Sequence, residues 1–331
     1  MSDRLAYVTR GGIVESEHRG VIAVSDPEGR CIARQGDVGL VTFARSSAKP
    51  VQAIPLVESG AADALGLTEQ EIALCCGSHS SEPLHTDGAL SILRKAGLDE
   101  SHLRCGTHMP HTLSVYDALV RTGEALSPRF SNCSGKHAGM LACAVHLGYD
   151  PATYLEPSHP LQRRIVQTLG ELAAVGPDEI VQGTDGCGVP TFALSMERWA
   201  RVFAQFARPQ GRPHGEAMAR LSAAMRAHPR MVAGEGRFDT ELMAASGGRL
   251  MVKGGAEGFI AVAAPEQGFA LVVKMRDGNE RGIYPVVVAA LRALGALSDE
   301  ACARLEHRAR PQLHNTRGDV IGEVVADVAL A

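Results

Sequence analysis

The chain is poor in aromatic residues, which make up 4% of its 331 positions and include a single tryptophan. It also lacks any run of Lys and Arg interleaved with aromatics, and its 33 basic residues nearly balance 37 acidic ones, leaving a formal charge of -4. With so little net field and no stacking platform, the sequence excludes nucleic acid as an expected partner. No segment approaches the roughly eighteen uninterrupted apolar residues that span a bilayer. The start, Met1-Ser2-Asp3-Arg4-Leu5, is charged where an export signal would be apolar. The expectation is a cytoplasmic protein with no membrane partner. A disulfide framework is missing as well: eight cysteines in a chain that is 45% hydrophobic read mostly as small buried hydrophobes, because a large core needs no staples.

What is present falls into blocks. Residues 6 to 43 alternate short β-rich runs with turn signals, as in Gly20-Val21-Ile22-Ala23-Val24, then Asp26-Pro27-Glu28-Gly29, then Cys31-Ile32-Ala33. From Pro50 the pattern turns helical. Thr68-Glu69-Gln70-Glu71 is a capping box. Leu161, Ile165, Leu169 and Leu172 mark one face of a helix after Pro160, and Met218, Leu221 and Met225 mark another. Strand patterns return at 249–253, 259–263 and 269–275, and a helix is expected over 283–294. There is no fixed repeat. This order predicts an α+β fold with one antiparallel sheet drawn from both chain ends and a large helical insert. The expected division is a single catalytic unit over 1–331, with a sheet region at 1–49 and 247–331 and a mainly helical region at 50–246.

Arg45-Ser46-Ser47-Ala48-Lys49-Pro50 places two serines ahead of a lysine. A serine hydroxyl is a weak nucleophile until a base takes its proton, and a neutral lysine amine can do so. On a helical turn, residues three apart share a face, which pairs Lys49 with Ser46 and leaves Ser47 aside. Ser46-x-x-Lys49 is the pattern of class A β-lactamases and penicillin-binding proteins. Alone, the pattern is common by chance, and most matches to it are a solvated lysine beside a capping serine. Two further segments follow in the order those enzymes use: Cys76-Gly77-Ser78-His79-Ser80-Ser81, dense in hydroxyls, and Val252-Lys253-Gly254-Gly255 on an expected strand. Ser78 could also simply cap its loop, and Lys253 could lie in water at a bulged strand end. His79, His85, His108, His111 and His137 read as structural histidines.

Taken together, these segments resemble those of the Rhizobial-type (class 3, asparaginase II) L-asparaginases. The resemblance also covers Ser131-Asn132-Cys133-Ser134-Gly135-Lys136-His137-Ala138-Gly139-Met140, Gly183-Thr184-Asp185-Gly186-Cys187-Gly188-Val189-Pro190 and Lys253-Gly254-Gly255-Ala256-Glu257-Gly258, in order and nearly end to end. It implies a homodimeric hydrolase, similar in fold to the serine β-lactamases and penicillin-binding proteins, that converts L-asparagine to L-aspartate and ammonia. It also implies two serine-lysine pairs, Ser46 with Lys49 and Ser78 with Lys253. Ser46 would be the nucleophile and Lys49 its base, with Ser78 and Lys253 relaying protons and positioning substrate.

Spacing alone leaves Cys133, Lys136 and Cys187 open between a metal site and buried thiols in glycine-rich turns. Zinc favours four Cys, His, Asp or Glu ligands, and a lysine must first lose its proton. The resemblance implies Zn2+ held by Cys133, Lys136, Cys187 and a water, tuning the site or binding substrate without activating the nucleophile. His137 would be a plausible ligand by chemistry, but the family pattern does not include it. Arg45 and Asp185 are the candidates for holding the substrate's carboxylate and ammonium. Two alternatives stay open: a hydrolase whose zinc-bound water attacks the amide, and a non-catalytic amino-acid-binding protein with a β-lactamase-like pocket.

Overall fold

A computed structural model describes residues 3–331. Met1 and Ser2, which open the charged N-terminal stretch, lie outside the described residues. The strands are β1 (Arg4–Arg10), β2 (Ile13–Ser25), β3 (Cys31–Gln35), β4 (Val41–Phe43), β5 (Val181–Thr184), β6 (Pro190–Ser195), β7 (Met251–Gly255), β8 (Phe259–Ala264), β9 (Phe269–Met275), β10 (Gln312–His314) and β11 (Val320–Ala326). The fold is α+β, with an antiparallel sheet drawn from both ends of the chain. The chain forms two compact units: one of Met1–Ser47, Leu194–Arg208 and Glu241–Ala331, the other of Ala48–Ala193 and Pro209–Thr240.

The first unit carries the sheet, in the order β10-β11-β1-β2-β9-β8-β7, with β3 also paired to β2. All six residues of β8 are buried, as are all but one in β9. Strands buried without alternation need cover on both faces. Helix Glu280–Ala293 packs on β1, β9 and β11, and helix Met196–Ala207 packs on β2, β8 and β9. The second of these helices falls inside the stretch expected to belong to the helical region, yet it sits with the sheet. It brings Trp199, fully buried, edge-on to Phe259 with ring centroids 6.2 Å apart, while its Nε1 donates to the Thr42 carbonyl.

The C-terminal strands β10 and β11 lie beyond the sequence expectation, which ended at the helix over 283–294. The structure begins that helix at Glu280, where Asn279 accepts the Arg281 N–H as its cap.

The second unit is mainly helical, with β5 and β6 forming a hairpin in it. The Thr68/Glu71 capping box forms at the head of helix Glu69–Cys75. Leu161, Ile165, Leu169 and Leu172 are all buried along helix Pro160–Ala173, as are Met218, Leu221 and Met225 on helix Gly215–Ala227. Helix Ser134–His146 lies against helix Glu69–Cys75. Side chains at Gly135 and Gly139 would collide with Leu74 and Cys75. Glycine there sets the close approach of the two helices, and therefore the distance between the segments that follow Cys75 and precede Ser134.

Candidate active site

Arg45 to Ala48 form a 3-10 turn that runs directly into helix Lys49–Gln52, with Pro50 in its first turn. Arg45 has a φ of 51°, a left-handed conformation that costs a non-glycine residue energy and clusters at functional sites. Ser46 is half-buried and Ser47 fully buried.

Within the sheet unit, the Ser47 hydroxyl donates to the Lys253 carbonyl at 2.7 Å. A side chain at Gly255 would strike the Ala44 carbonyl and Ser47. The Lys253-Gly254-Gly255 glycines thus allow β7 to press against the serine turn. Lys253 is fully buried, and its Nζ donates to the Gly254 carbonyl at 2.6 Å.

Within the helical unit, Lys49 is also fully buried, and its Nζ reaches the Gly77 carbonyl at 2.5 Å, the Ser78 hydroxyl at 2.9 Å and the Asn132 carbonyl at 3.3 Å. Spacing along the chain pairs Lys49 with Ser46; the hydrogen bond present joins it to Ser78. Ser78 is held from behind, where its N–H donates to the Val232 carbonyl at 2.7 Å.

Beside this pair lie Cys133, Lys136 and Cys187, all buried. Lys136 Nζ is 3.0 Å from Cys187 Sγ, and Cys133 Sγ is 3.2 Å from Asn132 Oδ1. A hydrogen bond from Cys187, helped by the charges of Lys49 and Lys136, holds the Cys133 thiol well below its ordinary range despite its burial. Cys187 is pushed up, first by donating to Cys133 and then by burial. Burial alone would lower Lys136, but Cys187 and Cys133 raise it. Asp185, in the turn between β5 and β6, is half-buried and lies 3.6 Å from Cys187 Sγ.

Among the described residues no group of three or more His, Cys, Asp or Glu side chains gathers as a metal cage. The convergent set is two thiols and one amine. Two thiols suit zinc, whereas Lys136, raised by both of them, would have to lose its proton before it could join them as a ligand. His137 stays out of the set: its Nδ1 lies 2.7 Å from the Tyr154 hydroxyl, and its Nε2 is buried without a hydrogen-bond partner.

The structure thus gathers Lys49, Ser78, Cys133, Lys136, Cys187 and Asp185 in one unit, and places Arg45, Ser46 and Lys253 in the other with Ser47. Sequence reasoning missed Asn132, which touches this set through both main chain and side chain. Its carbonyl accepts from Lys49, its N–H donates to His108 Nε2 at 2.7 Å, and its amide lies 3.2 Å from His111 Nε2. The only signal was its place in the polar run 131–137.

Fold and site define an α+β protein with a buried lysine bonded to a serine hydroxyl beside a thiol and amine cluster. The chain belongs to the L-asparaginase II family, whose family model matches residues 6–326, and it is an amide-hydrolysing enzyme. No curated protein matches the sequence. Among solved structures, a β-lactamase from Mycobacterium bovis is 14% identical, with 88% of this chain and 95% of that one covered and a TM-score of 0.42. A glutaminase from Bacillus subtilis, caught as a covalent complex with 5-oxo-L-norleucine, is 15% identical, with 88% and 86% covered and a TM-score of 0.37. The native form of Mglu is 15% identical, with 86% and 66% covered and a TM-score of 0.45. Among the described residues no helix is long and apolar enough to cross a membrane.

Proposed function

We propose that this protein is an L-asparaginase of the Rhizobial, class 3 type, β-lactamase-like in fold, which hydrolyses L-asparagine to L-aspartate and ammonia through a serine nucleophile. The observation that carries the reading is the buried contact between Lys49 Nζ and Ser78 Oγ at 2.9 Å. A lysine enclosed this way, with a hydroxyl in reach, can take a proton when neutral and return it as the ammonium.

In this reading the Ser46 hydroxyl attacks the side-chain carboxamide carbon and Lys49 takes its proton. Ser78, hydrogen-bonded to Lys49, carries the proton toward the departing ammonia, with Lys253 completing the relay. Water then cleaves the aspartyl ester on Ser46. Arg45 offers a cation for the substrate carboxylate and Asp185 an anion for its ammonium group. Cys133, Lys136 and Cys187 would hold zinc, which would supply fixed positive charge for binding substrate. The cytoplasm and a homodimer complete the proposal.

The test is ammonia release from asparagine, glutamine and a dipeptide amide, with ring opening of a chromogenic β-lactam followed by absorbance, by wild type and Ser46→Ala. Asparagine turnover that vanishes in the variant supports the reading; turnover that survives in it removes Ser46 as nucleophile.

A further inference from the structure

The loop that carries Ser78 is tied down by a histidine that the mechanism does not use. His79 is fully buried. Its main-chain N–H donates to the Asn132 carbonyl at 3.2 Å, the same oxygen that Lys49 reaches. Its Nδ1 accepts the Ser81 N–H at 3.2 Å. A backbone N–H can only donate, so Nδ1 carries no proton and the ring proton of the neutral imidazole sits on Nε2. Nε2 therefore donates to the Ser134 hydroxyl at 2.9 Å, and Ser134 passes its own proton to the Arg129 carbonyl at 3.0 Å.

Every donor and acceptor in this chain is assigned, and its direction is fixed. Burial, and then the neighbouring His85, holds the His79 imidazole well below its ordinary range. His85 stacks on it with centroids 4.9 Å apart and rings 12° from parallel. His85 is locked in the same sense, accepting the Glu82 N–H at Nδ1 and lying 2.8 Å from the Arg230 carbonyl at Nε2.

The two ends of the chain matter to the site. One is the residue after Ser78; the other is the residue after Cys133, at the head of the helix that bears Lys136. We infer that His79 is a positioning residue: through Ser134 it sets the Ser78 hydroxyl and Lys49 in register with the Cys133 and Lys136 end of the site. This rests on the serine-lysine reading above.

The two arms of the ring can be removed separately. Glutamine at 79 can place a donor near the Nε2 position and keep the Ser134 arm. Asparagine can place an acceptor near Nδ1 and keep only the Ser81 arm. H79N is expected to lose kcat by roughly 30- to 100-fold with KM within about threefold, as a small misplacement of reacting groups does. H79Q is expected to recover most of that loss. S134A, which leaves Nε2 without its acceptor, should match H79N, and the H79N/S134A double variant should be no worse than either single one. All are compared per folded molecule, with thermal unfolding followed alongside. If H79N does not fold, S134A decides.

A kcat for S134A or H79N within about threefold of wild type, or H79Q falling as far as H79N, overturns the inference. Ser46→Ala and Ser78→Ala are assayed in the same series. If they still turn over asparagine, or if wild type releases no ammonia, the functional reading has failed and the positioning role with it. If they are inactive while S134A is as fast as wild type, only the positioning role has failed.

Discussion

Lys49 Nζ lies 2.9 Å from the Ser78 hydroxyl, across 29 residues of sequence, and both groups are buried. The same amine also reaches two main-chain carbonyls, at Gly77 and Asn132. One side chain thus ties the loop of Gly77 and Ser78 to Asn132, and its roles in stability and in turnover can be separated.

Replacing Lys49 with Met should remove turnover and also lower stability. Gly77, Ser78 and Asn132 each lose their partner, and leaving buried polar groups unpaired costs about 1–3 kcal/mol. Ser46→Ala, at a half-buried position, should lower kcat by roughly 10⁴-fold while the unfolding midpoint in urea stays close to wild type. Equal stability loss in both variants would mean that Lys49 has no bonding role distinct from Ser46.

Gly255→Ala should weaken the sheet unit. The added methyl meets the Ala44 carbonyl and the Ser47 main chain and hydroxyl, and overpacking of this kind costs about 1–3 kcal/mol. Because the strain falls on the serine turn, kcat per folded molecule should drop as well. Urea denaturation and ammonia release on the same samples measure both effects.

Cys133→Ser and Cys187→Ser should each lose bound zinc on dialysis, read by elemental analysis. A chelator applied to wild type should raise KM for asparagine and leave kcat within about threefold if the ion serves substrate binding. Loss of kcat in proportion to metal removed would instead support a metal-dependent hydrolase.

Glu82 follows the Ser78 loop and accepts from Arg230 Nε at 2.8 Å, Arg230 Nη2 at 2.5 Å and the Glu235 N–H at 2.8 Å. Burial opposes its charge, but the Glu235 N–H and Arg230 outweigh it and hold the carboxyl below its ordinary 4.5. A carboxyl lowered on folding stabilises the native state above its unfolded value, and that contribution fades as pH falls through the folded one. His85, on the same helix turn, faces it as well. Glu82→Gln should therefore cost about 1–3 kcal/mol at pH 7, with the gap from wild type narrowing below pH 4.5. A gap that is constant from pH 7 to pH 3 would show that charge plays no part.

Local signals in the sequence were legible. The Thr68/Glu71 box and the Leu161 to Leu172 stripe depend on neighbours within a turn or two, and they form as expected. So did the antiparallel sheet from both chain ends, because short β-rich runs bounded by turn residues mark strands directly. Strands β10 and β11 escaped notice: Gln312–His314 is short and Val320–Ala326 is only partly buried. Their strand character comes from pairing with one another and with β1, some three hundred residues away in sequence. His79 was passed over for a related reason, since its partner Ser134 lies 55 residues on.

The sequence by itself determined the menu of chemistry: which serines, lysines and cysteines stand beside glycines, and which stretches repeat with helical or strand period. Only the tertiary structure decided which hydroxyl Lys49 meets, and that Cys133, Lys136 and Cys187 share one pocket of charge. Periodicity is a property of neighbours along the chain, whereas a hydrogen bond forms only within about 3 Å, a distance set by how closely packed helices approach.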